Sequence, residues 1–172
     1  MKKELIIFTG NIGCGKSTIA RDIVTKNKDF IVVNDDYITT MIGGGDYTNY
    51  DKSKKYLYKC IELYCVDLGL GTNRSVIVDM PNMKRSSRRR FIDIGKRYDV
   101  DIISYDWGKG TLECLERRKK ESRNYCNWDD AYTTKEKEYE KPSIDEGFYK
   151  IIRIRKKADS VGSVSTWRYE YK

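Results

Sequence analysis

The chain has 172 residues, with 34 Lys and Arg against 26 Asp and Glu and a net charge of +8. This length fits one domain, the positive charge favours an anionic partner, and the lack of histidine excludes mechanisms that need an imidazole acid, base or metal ligand. Five cysteines without a C-x-x-C pair or a secretory leader predict neither a disulfide framework nor a zinc site, and they favour a reducing, cytoplasmic compartment.

Apolar runs of strand length alternate with stretches of helical periodicity along the chain. The predicted strands are 5–8, 30–33, 76–78, 102–105 and 151–154. This alternation predicts an α/β fold with a parallel sheet and helices on both faces, formed as a single domain over 1–172. All the runs are shorter than the ~20 residues that cross a bilayer, so we expect a soluble protein.

Two apolar stripes predict the buried faces of helices. The first comprises Leu57, Ile61, Tyr64 and Leu68, with Gly69 as a possible cap; the second comprises Phe91, Ile94 and Tyr98. The tail, about 157–172, fits either an added strand or a mobile segment.

The stretch "GNIGCGKST" at 10–18 matches the phosphate-binding pattern G-x-x-x-x-G-K-[ST]. It follows the first predicted strand and opens a helical pattern, which is the context that the motif requires. The alternative is a glycine-rich turn, and for Cys14 a small tolerated residue competes with a redox switch. The predicted nucleotide-binding residues are Gly10, Asn11, Gly13, Cys14, Gly15, Lys16, Ser17 and Thr18.

The chemistry of that motif assigns a role to each polar side chain. Main-chain N–H groups and the helix N-terminus hold an anion, Lys16 reaches the outer phosphates, and the Ser17 hydroxyl binds Mg²⁺. The sequence therefore predicts binding of ATP, or another nucleoside triphosphate, together with magnesium.

Acidic residues follow two of the predicted strands. Asp35 and Asp36 end the segment "VVNDDY", where a carboxylate can take the proton of an attacking hydroxyl; the alternative is a helix N-cap. Asp79 ends "SVIVD" and is predicted to bind magnesium through water, with a loop-capping role as the alternative.

A basic cluster crowds the predicted start of the helix after Asp79. The helix dipole disfavours cations at this end, which indicates a compensating anion such as a run of phosphates. The alternative is a set of long side chains that extend into solvent. The cluster comprises Lys84, Arg85, Arg88, Arg89 and Arg90.

A second basic stretch, "TLECLERRKKESRN", is predicted to be a helix that continues into a lid over the nucleotide at about 117–127. Its arginines would stabilise the transferring phosphoryl group, with Arg117 as the first choice and Arg123 as the second. The alternative is a solvated face, in which Glu113 pairs with Arg117 and Glu116 with Lys120.

Over most of residues 4–155, the chain resembles the kinase domain of polynucleotide 5′-hydroxyl kinases of phage and animal type. The resemblance is carried by "GNIGCGKST", "VNDDY", "VIVDMPN", the "RR" after "TLECLE" and, most specifically, "YEKPSIDEGFYKIIRI" at 139–154. It implies transfer of the γ-phosphate of ATP to the 5′-hydroxyl of DNA or RNA, with Lys16 and Ser17 on the phosphates and metal, an aspartate as base and lid arginines on the phosphates.

The resemblance leaves the register of the base open. The gap-free match selects Asp36 and is preferred, whereas direct alignment of "DDY" selects Asp35. An arginine that grips the acceptor phosphate in some family members falls on Ile38 or Thr39 and is missing here. Its task could pass to the basic cluster. The predicted nucleic-acid contacts are Thr39, Asn82, Arg85, Arg88 and Arg89.

Other readings remain beside the polynucleotide kinase. They are a P-loop kinase of a modified DNA base or of a nucleoside or other small molecule, and a nucleic-acid-binding ATPase without an acceptor. No phosphatase domain is expected, because "DVD" at 99–101 lacks the Gly-Thr of D-x-D-G-T. The likeness to phage enzymes makes a virus-encoded protein in a host cytoplasm one expected source, and the sequence does not indicate the oligomeric state.

Overall fold

A computed structural model of the protein describes residues 2–120, 127–156 and 167–171. Its strands are β1 (Lys3–Gly10), β2 (Phe30–Asn34), β3 (Ser75–Asp79), β4 (Val100–Gly108), β5 (Lys150–Lys156) and β6 (Trp167–Tyr171). Its helices are α1 (Lys16–Lys26), α2 (Asp35–Ile42), α3 (Lys55–Gly71), α4 (Arg85–Gly95), α5 (Leu112–Lys120) and α6 (Trp128–Lys137). Short 3₁₀ turns cover Tyr47–Asn49, Lys52–Lys54 and Ile144–Glu146.

The strands form one sheet in the order β2-β3-β1-β4-β5-β6. The first five strands run parallel, and β6 pairs antiparallel to β5. Each of the five predicted strands is confirmed within β1 to β5. Part of the tail, 167–171, is an added strand, whereas 157–166 and 172 lie outside the described residues.

Alternating side chains of β1 supply the two apolar layers. Leu5 and Ile7 point into the layer under α3 and α4, while Ile6 and Phe8 point into the layer under α1. All four side chains are almost completely buried. The predicted α/β fold with helices on both faces is therefore confirmed. The described part of the chain contains no helix with the length and apolar character needed to cross a membrane.

The predicted buried face of α3 is wrong for three of its four residues, whereas Ile61 is partly buried and packs against the core. Leu57, Tyr64 and Leu68 are 46%, 65% and 51% exposed. The residues that pack inward are Tyr58, Glu62, Val66, Gly69 and Leu70. A glutamate and a glycine on the inward face weakened the apolar signal there, and tyrosine and leucine on the outer face produced a stronger one.

Gly69 is also not a cap, because α3 continues to Gly71. A Cβ atom at Gly69 would lie 2.5 Å from Ile31 Cδ1 and 2.9 Å from Val76 Cγ2, so the glycine allows α3 to pack closely on β2 and β3. On α4, the predicted face is correct: Phe91 and Ile94 are buried.

The carboxyl ends of three neighbouring strands meet at one edge of the sheet. Asn34 at the end of β2 lies opposite Asp79 at the end of β3, and β1 ends at Gly10 between β3 and β4. In open parallel sheets, ligands bind at this edge.

Candidate active site

The loop between β1 and α1 has the geometry of a phosphate cradle. Gly13 and Gly15 adopt positive φ angles of 70° and 87°, and Gly15 is the N-cap of α1. A Cβ atom at Gly13 would lie 2.1 Å from the carbonyl oxygen of Cys114, so only glycine fits under α5. Lys16 Nζ donates a 2.7 Å hydrogen bond to the carbonyl oxygen of Asn11, which folds the lysine back over the loop.

The Asn11 side chain braces this loop from within the protein. It is fully buried, and its amide nitrogen donates to the carbonyl oxygens of Lys109 and Tyr132. Its carboxamide oxygen accepts from the N–H of Ile12. The structure thus gives the Asn11 side chain a scaffolding role, and any contribution of this residue to phosphate binding is through its backbone.

The loop also contacts α5 through two thiols. Cys14 is buried, and its thiol donates a 3.8 Å hydrogen bond to the carbonyl oxygen of Ile12. Its interaction with the thiol of Cys114 on α5, together with burial, raises the pKa of Cys14. The interaction with Cys14, assisted by the Thr111 hydroxyl 3.4 Å away, lowers the pKa of Cys114 to about 5. A thiol with a lowered pKa therefore lies beside the phosphate-binding loop.

The Lys16 ammonium lies among carboxylates. Burial lowers its pKa, and the negative charges of Asp79 and Asp35 act in the opposite direction. Lys16, Asp35 and Asp79 all line one cavity at the carboxyl edge of the sheet.

Asp35 is the first residue of α2, after the N-cap Asn34, whose carboxamide oxygen accepts from the N–H of Tyr37. Burial raises the pKa of the Asp35 carboxyl to about 7, with further upward contributions from Asp36, Glu62 and Asp79. A carboxyl with a pKa near neutral is suited to proton transfer at physiological pH.

Asp36, the next residue, has a different environment. Its carboxylate lies 3.8 Å from the guanidinium of Arg118 on α5, and its side chain is 36% exposed. The structure thus separates the two neighbouring acids: Asp35 faces the lysine of the loop, and Asp36 faces the helix above it.

The two carboxylate oxygens of Asp79 differ in their hydrogen bonding. Oδ2 accepts a 2.9 Å hydrogen bond from the Asn34 amide, while Oδ1 is buried and has no hydrogen-bond partner in the described part of the chain. A water molecule on magnesium would satisfy Oδ1, and the Ser17 hydroxyl is exposed at the start of α1. The two residues therefore fit the predicted metal, although the described residues contain no group of three or more acidic or thiol ligands.

The first part of the predicted lid is helix α5. Arg117 donates to the carbonyl oxygen of Gly13, and the guanidinium of Arg118 stacks 4.5 Å from the centre of the Trp128 ring on α6. Two arginines of α5 thus reach the phosphate-binding loop and Asp36. Arg123 lies outside the described residues.

These groups line two connected cavities. The main cleft, about 1120 Å³, extends from Lys16 and Ser17 past Asp35 and Asp79 to Arg117. The side pocket, about 390 Å³, lies between α2, α3 and α4. Asp35, Asp36, Tyr47, Tyr50, Met80, Pro81 and Lys135 line both cavities. The two carboxylates therefore stand where the cavities meet.

The basic cluster at the start of α4 is compensated by the protein itself. Each of its cations pairs with a carboxylate: Lys84 with Glu138, Arg85 with Asp145, Arg88 with Glu146, Arg89 with Asp93 and Arg90 with Glu62. The anion that the sequence indicated is therefore supplied by side chains. Arg85 and Arg89 remain exposed, and their proposed contacts with nucleic acid stay predictions.

For Arg88, the predicted nucleic-acid contact is wrong. Its side chain is 0% exposed, and both carboxylate oxygens of Glu146 accept hydrogen bonds from its guanidinium at 2.7 and 2.8 Å. The remaining guanidinium nitrogen donates to the carbonyl oxygens of Asn82, Met83 and Glu140. Every direction of this guanidinium is occupied, so it anchors the segment after α6 to α4.

The predicted nucleic-acid contacts Asn82 and Thr39 are also buried. The Asn82 amide nitrogen donates to the carbonyl oxygens of Phe8 and Met80, and the residue has a φ of 41°. Asn82 therefore shapes the turn after β3; it also lines the side pocket, and its contact with nucleic acid stays a prediction. Thr39 lies in the wall of the side pocket.

Three site residues were missed by the sequence analysis. Asn34 cross-links the ends of β2 and β3, Arg118 faces Asp36, and Trp128 orients Arg118. The position of Asn34 at a strand end beside two acids was an available signal. Arg118 belongs to the "RR" pair of the predicted lid, but its contact with Asp36 was not predictable, because adjacent arginines on a helix are not distinguishable without knowing which face is covered.

Residues 5–138 match the model of the family described as AAA domain. No curated protein sequence matches the chain. Among solved structures, a chain of the Pnkp1/Rnl/Hen1 RNA repair complex superposes with a TM-score of 0.69 at 22% identity over 80% of this chain. That alignment spans 44% of the other chain, less than half of its length.

Two further structures show how widely the fold is used. A fungal RNA kinase has a TM-score of 0.65 at 16% identity, with coverage of 96% of this chain and 82% of that one. A gluconokinase from Sinorhizobium meliloti 1021 has a TM-score of 0.54 at 16% identity, with 88% and 81% covered. At these identities the likeness establishes the fold, which is shared by kinases of unlike acceptors.

Proposed function

We propose that this chain, which belongs to the AAA domain family, is an ATP-dependent kinase of polynucleotide 5′-hydroxyl ends. The observation that carries the proposal is the position of Asp35. Its carboxyl is grouped with Lys16 and Asp79 at the point where the main cleft meets a second pocket. An ATPase without an acceptor does not require an acceptor pocket or a carboxylate that can take a proton next to the phosphate site. Phosphoryl transfer to an alcohol requires both.

In this proposal, the main cleft holds the triphosphate. The N–H groups of the loop and the Lys16 ammonium bind the outer phosphates, and α1 directs its N-terminus toward them. Ser17 would bind Mg²⁺ directly and Asp79 through water, and the ion would supply neutralisation of charge on the phosphates.

We assign the general base to Asp35 rather than to Asp36. The acceptor hydroxyl enters from the side pocket, its oxygen forms the new bond to the γ-phosphorus, and its proton passes to the Asp35 carboxylate. The bond between the γ-phosphorus and the bridging oxygen breaks, and ADP leaves with that oxygen. Asp36 positions Arg118, and Arg117 and Arg118 stabilise charge on the transferring group.

A polynucleotide acceptor is supported by three features. The chain carries a net charge of +8, it resembles polynucleotide kinases over 139–154, and it shares its fold with an RNA kinase. A small-molecule kinase is the competing proposal, because the side pocket, at about 390 Å³, is of a size that takes a small ligand.

The test is transfer of label from [γ-³²P]ATP in the presence of Mg²⁺. Matched acceptors should be single-stranded DNA and RNA with a 5′-hydroxyl, the same strands with a 5′-phosphate, and free nucleosides. We expect label only on the 5′-hydroxyl strands. Label on nucleosides alone would support the small-molecule kinase, and release of phosphate without transfer would support the ATPase.

A further inference from the structure

Two lysines of α3 line the side pocket, together with the carboxylates of Asp35, Asp36, Glu62 and Glu138. Lys55 and Lys59 on α3 line it, and neither amine forms an ion pair with a residue in the described part of the chain. The cations at the start of α4 behave oppositely, since each has a carboxylate partner. Unpaired lysines beside a pocket mark a place where an external anion lowers the electrostatic energy most.

The helical spacing places these lysines on one line. Lys55 and Lys59 are separated by one turn of α3, and Tyr58 and Glu62 complete the same face at i+3 and i+7 from Lys55. Lys55 and Lys59 are exposed, whereas Tyr58 and Glu62 are buried. This face therefore runs from an apolar, acidic floor to a basic rim.

Tyrosine rings add an aromatic surface to the side pocket. Tyr50 stacks on Tyr58 with ring centroids 5.6 Å apart and remains 46% exposed, so a large part of its surface is open to a ligand. Tyr47 lines the same pocket. Tyrosine rings beside lysines are the combination that binds single-stranded nucleic acid, with bases on the rings and phosphates on the amines.

The floor of the side pocket includes a buried carboxylate, Glu62. The Glu62 side chain is 7% exposed, and its Oε2 lies 3.0 Å from the Arg90 guanidinium. The geometry of that contact is not that of a hydrogen bond, and Oε2 has no hydrogen-bond partner among the described residues. A ligand group that donates a hydrogen bond, such as a sugar hydroxyl or a base amino group, would satisfy it.

From these four observations, we propose that the side pocket seats the terminal nucleoside of a single-stranded polynucleotide and that Lys55 and Lys59 bind the phosphodiesters that follow it. The proposal rests on the proposed function and specifies its acceptor. The terminal base stacks on Tyr50, Glu62 accepts from the nucleoside, and the 5′-hydroxyl points toward Asp35, which lines the same pocket. The strand then leaves over the rim of α3 and not along the exposed arginines of α4.

Binding of labelled oligouridylate and oligothymidylate, followed by fluorescence anisotropy without ATP, tests the rim directly. The variant Lys55→Glu/Lys59→Glu should bind about tenfold more weakly at about 50 mM salt. Since each phosphate contact on a single strand contributes about 0.7 to the salt slope, the slope should fall by about 1.4. The matched control is Lys26→Glu/Lys28→Glu, at the carboxyl end of α1 and in the turn after it, which should bind as the wild type does.

The stacking contact has its own pair of variants. Tyr50→Ala should raise the KM for a 5′-hydroxyl oligonucleotide about fivefold or more, and Tyr50→Phe should retain the wild-type KM. Neither should change the KM for ATP. The inference would be overturned if Lys55→Glu/Lys59→Glu bound the oligonucleotides with the affinity and salt slope of the wild type. A wild-type KM for the oligonucleotide in Tyr50→Ala would overturn it as well.

The two proposals fail in different ways. If the protein binds oligonucleotides with the predicted salt slope but forms no labelled product, the kinase proposal is refuted and the proposed binding by Lys55 and Lys59 stands. If Lys55→Glu/Lys59→Glu labels oligonucleotides with the wild-type KM, the proposed binding by these lysines is refuted and the kinase proposal stands. Binding of a free nucleoside as tight as that of an oligonucleotide would also overturn the inference, because the rim would then contribute nothing.

Discussion

Replacement of Asp35 by asparagine should make the protein more stable and abolish phosphoryl transfer. The carboxyl is half-buried, and burial together with the charges of Asp36, Glu62 and Asp79 raises its pKa from 3.8 to about 7. This difference in pKa corresponds to about 4 kcal/mol against the ionised form. Asp35 is partly exposed, so solvent screening reduces this to about 2 kcal/mol.

One favourable interaction opposes that penalty. Asp35 stands in the first turn of α2, where the helix dipole stabilises a carboxylate by about 0.3–1 kcal/mol. The expected net gain for Asp35→Asn is therefore about 1–2 kcal/mol, which for a chain of this length raises Tm by about 2–8 °C. Asparagine retains an oxygen that can accept from the N–H of Asp36, so the local turn is preserved.

The gain should depend on pH in a defined direction. The folded state holds its proton more tightly than the unfolded state, so the wild type loses stability as pH rises from 3.8 to about 7, and the loss is complete above that. Asp35→Asn should thus match the wild type near pH 4 and exceed it at pH 8. Thermal unfolding followed by circular dichroism at the two pH values measures the difference.

The matched control is Asp46→Asn. Hydrogen bonds from Thr48 lower the pKa of Asp46, so neutralisation of that carboxylate should not stabilise the protein at pH 8. If Asp35→Asn and the wild type have the same Tm at pH 8, ionised Asp35 does not lower the stability of the folded protein. Retained transfer to 5′-hydroxyl strands would show that it is not the base.

Three further results follow from the same geometry. The kcat/KM for transfer should rise with pH up to about 7 as Asp35 ionises, and Asp36→Asn should move that inflection to lower pH because it removes a neighbouring negative charge; an unchanged inflection would contradict this. Arg88→Met should cost about 3–5 kcal/mol by urea unfolding since it leaves Glu146 buried and unpaired, and Arg88→Met/Glu146→Leu should recover much of that loss. Iodoacetamide at pH 7 should alkylate Cys114, with a pKa of about 5, faster than the buried Cys14 and should block ATP binding, whereas Cys114→Ser should keep ATP binding after the same treatment.

The fold was readable from the sequence because its signals are local. Five short apolar runs and a phosphate-binding motif between the first strand and the first helix fix a parallel sheet with little ambiguity. The face of α3 was misjudged because Glu62 turns inward. Nothing in the local pattern shows that a glutamate has an arginine 28 positions later in the chain within 3.0 Å.

The charges illustrate a more general limit. A cation in a sequence is visible, but its partner is not, because ion pairs such as Arg88 with Glu146 join residues far apart in the chain. The clustered arginines at the start of α4 therefore predicted a nucleic-acid site. Lys55 and Lys59, which are one turn apart on α3, gave no such prediction. Once the ion pairs are assigned, Lys55 and Lys59 on α3 are the cations of the side pocket without an ion-pair partner in the described part of the chain. A surface that binds phosphates is better recognised by positive charge without a protein partner than by the density of Lys and Arg in the sequence.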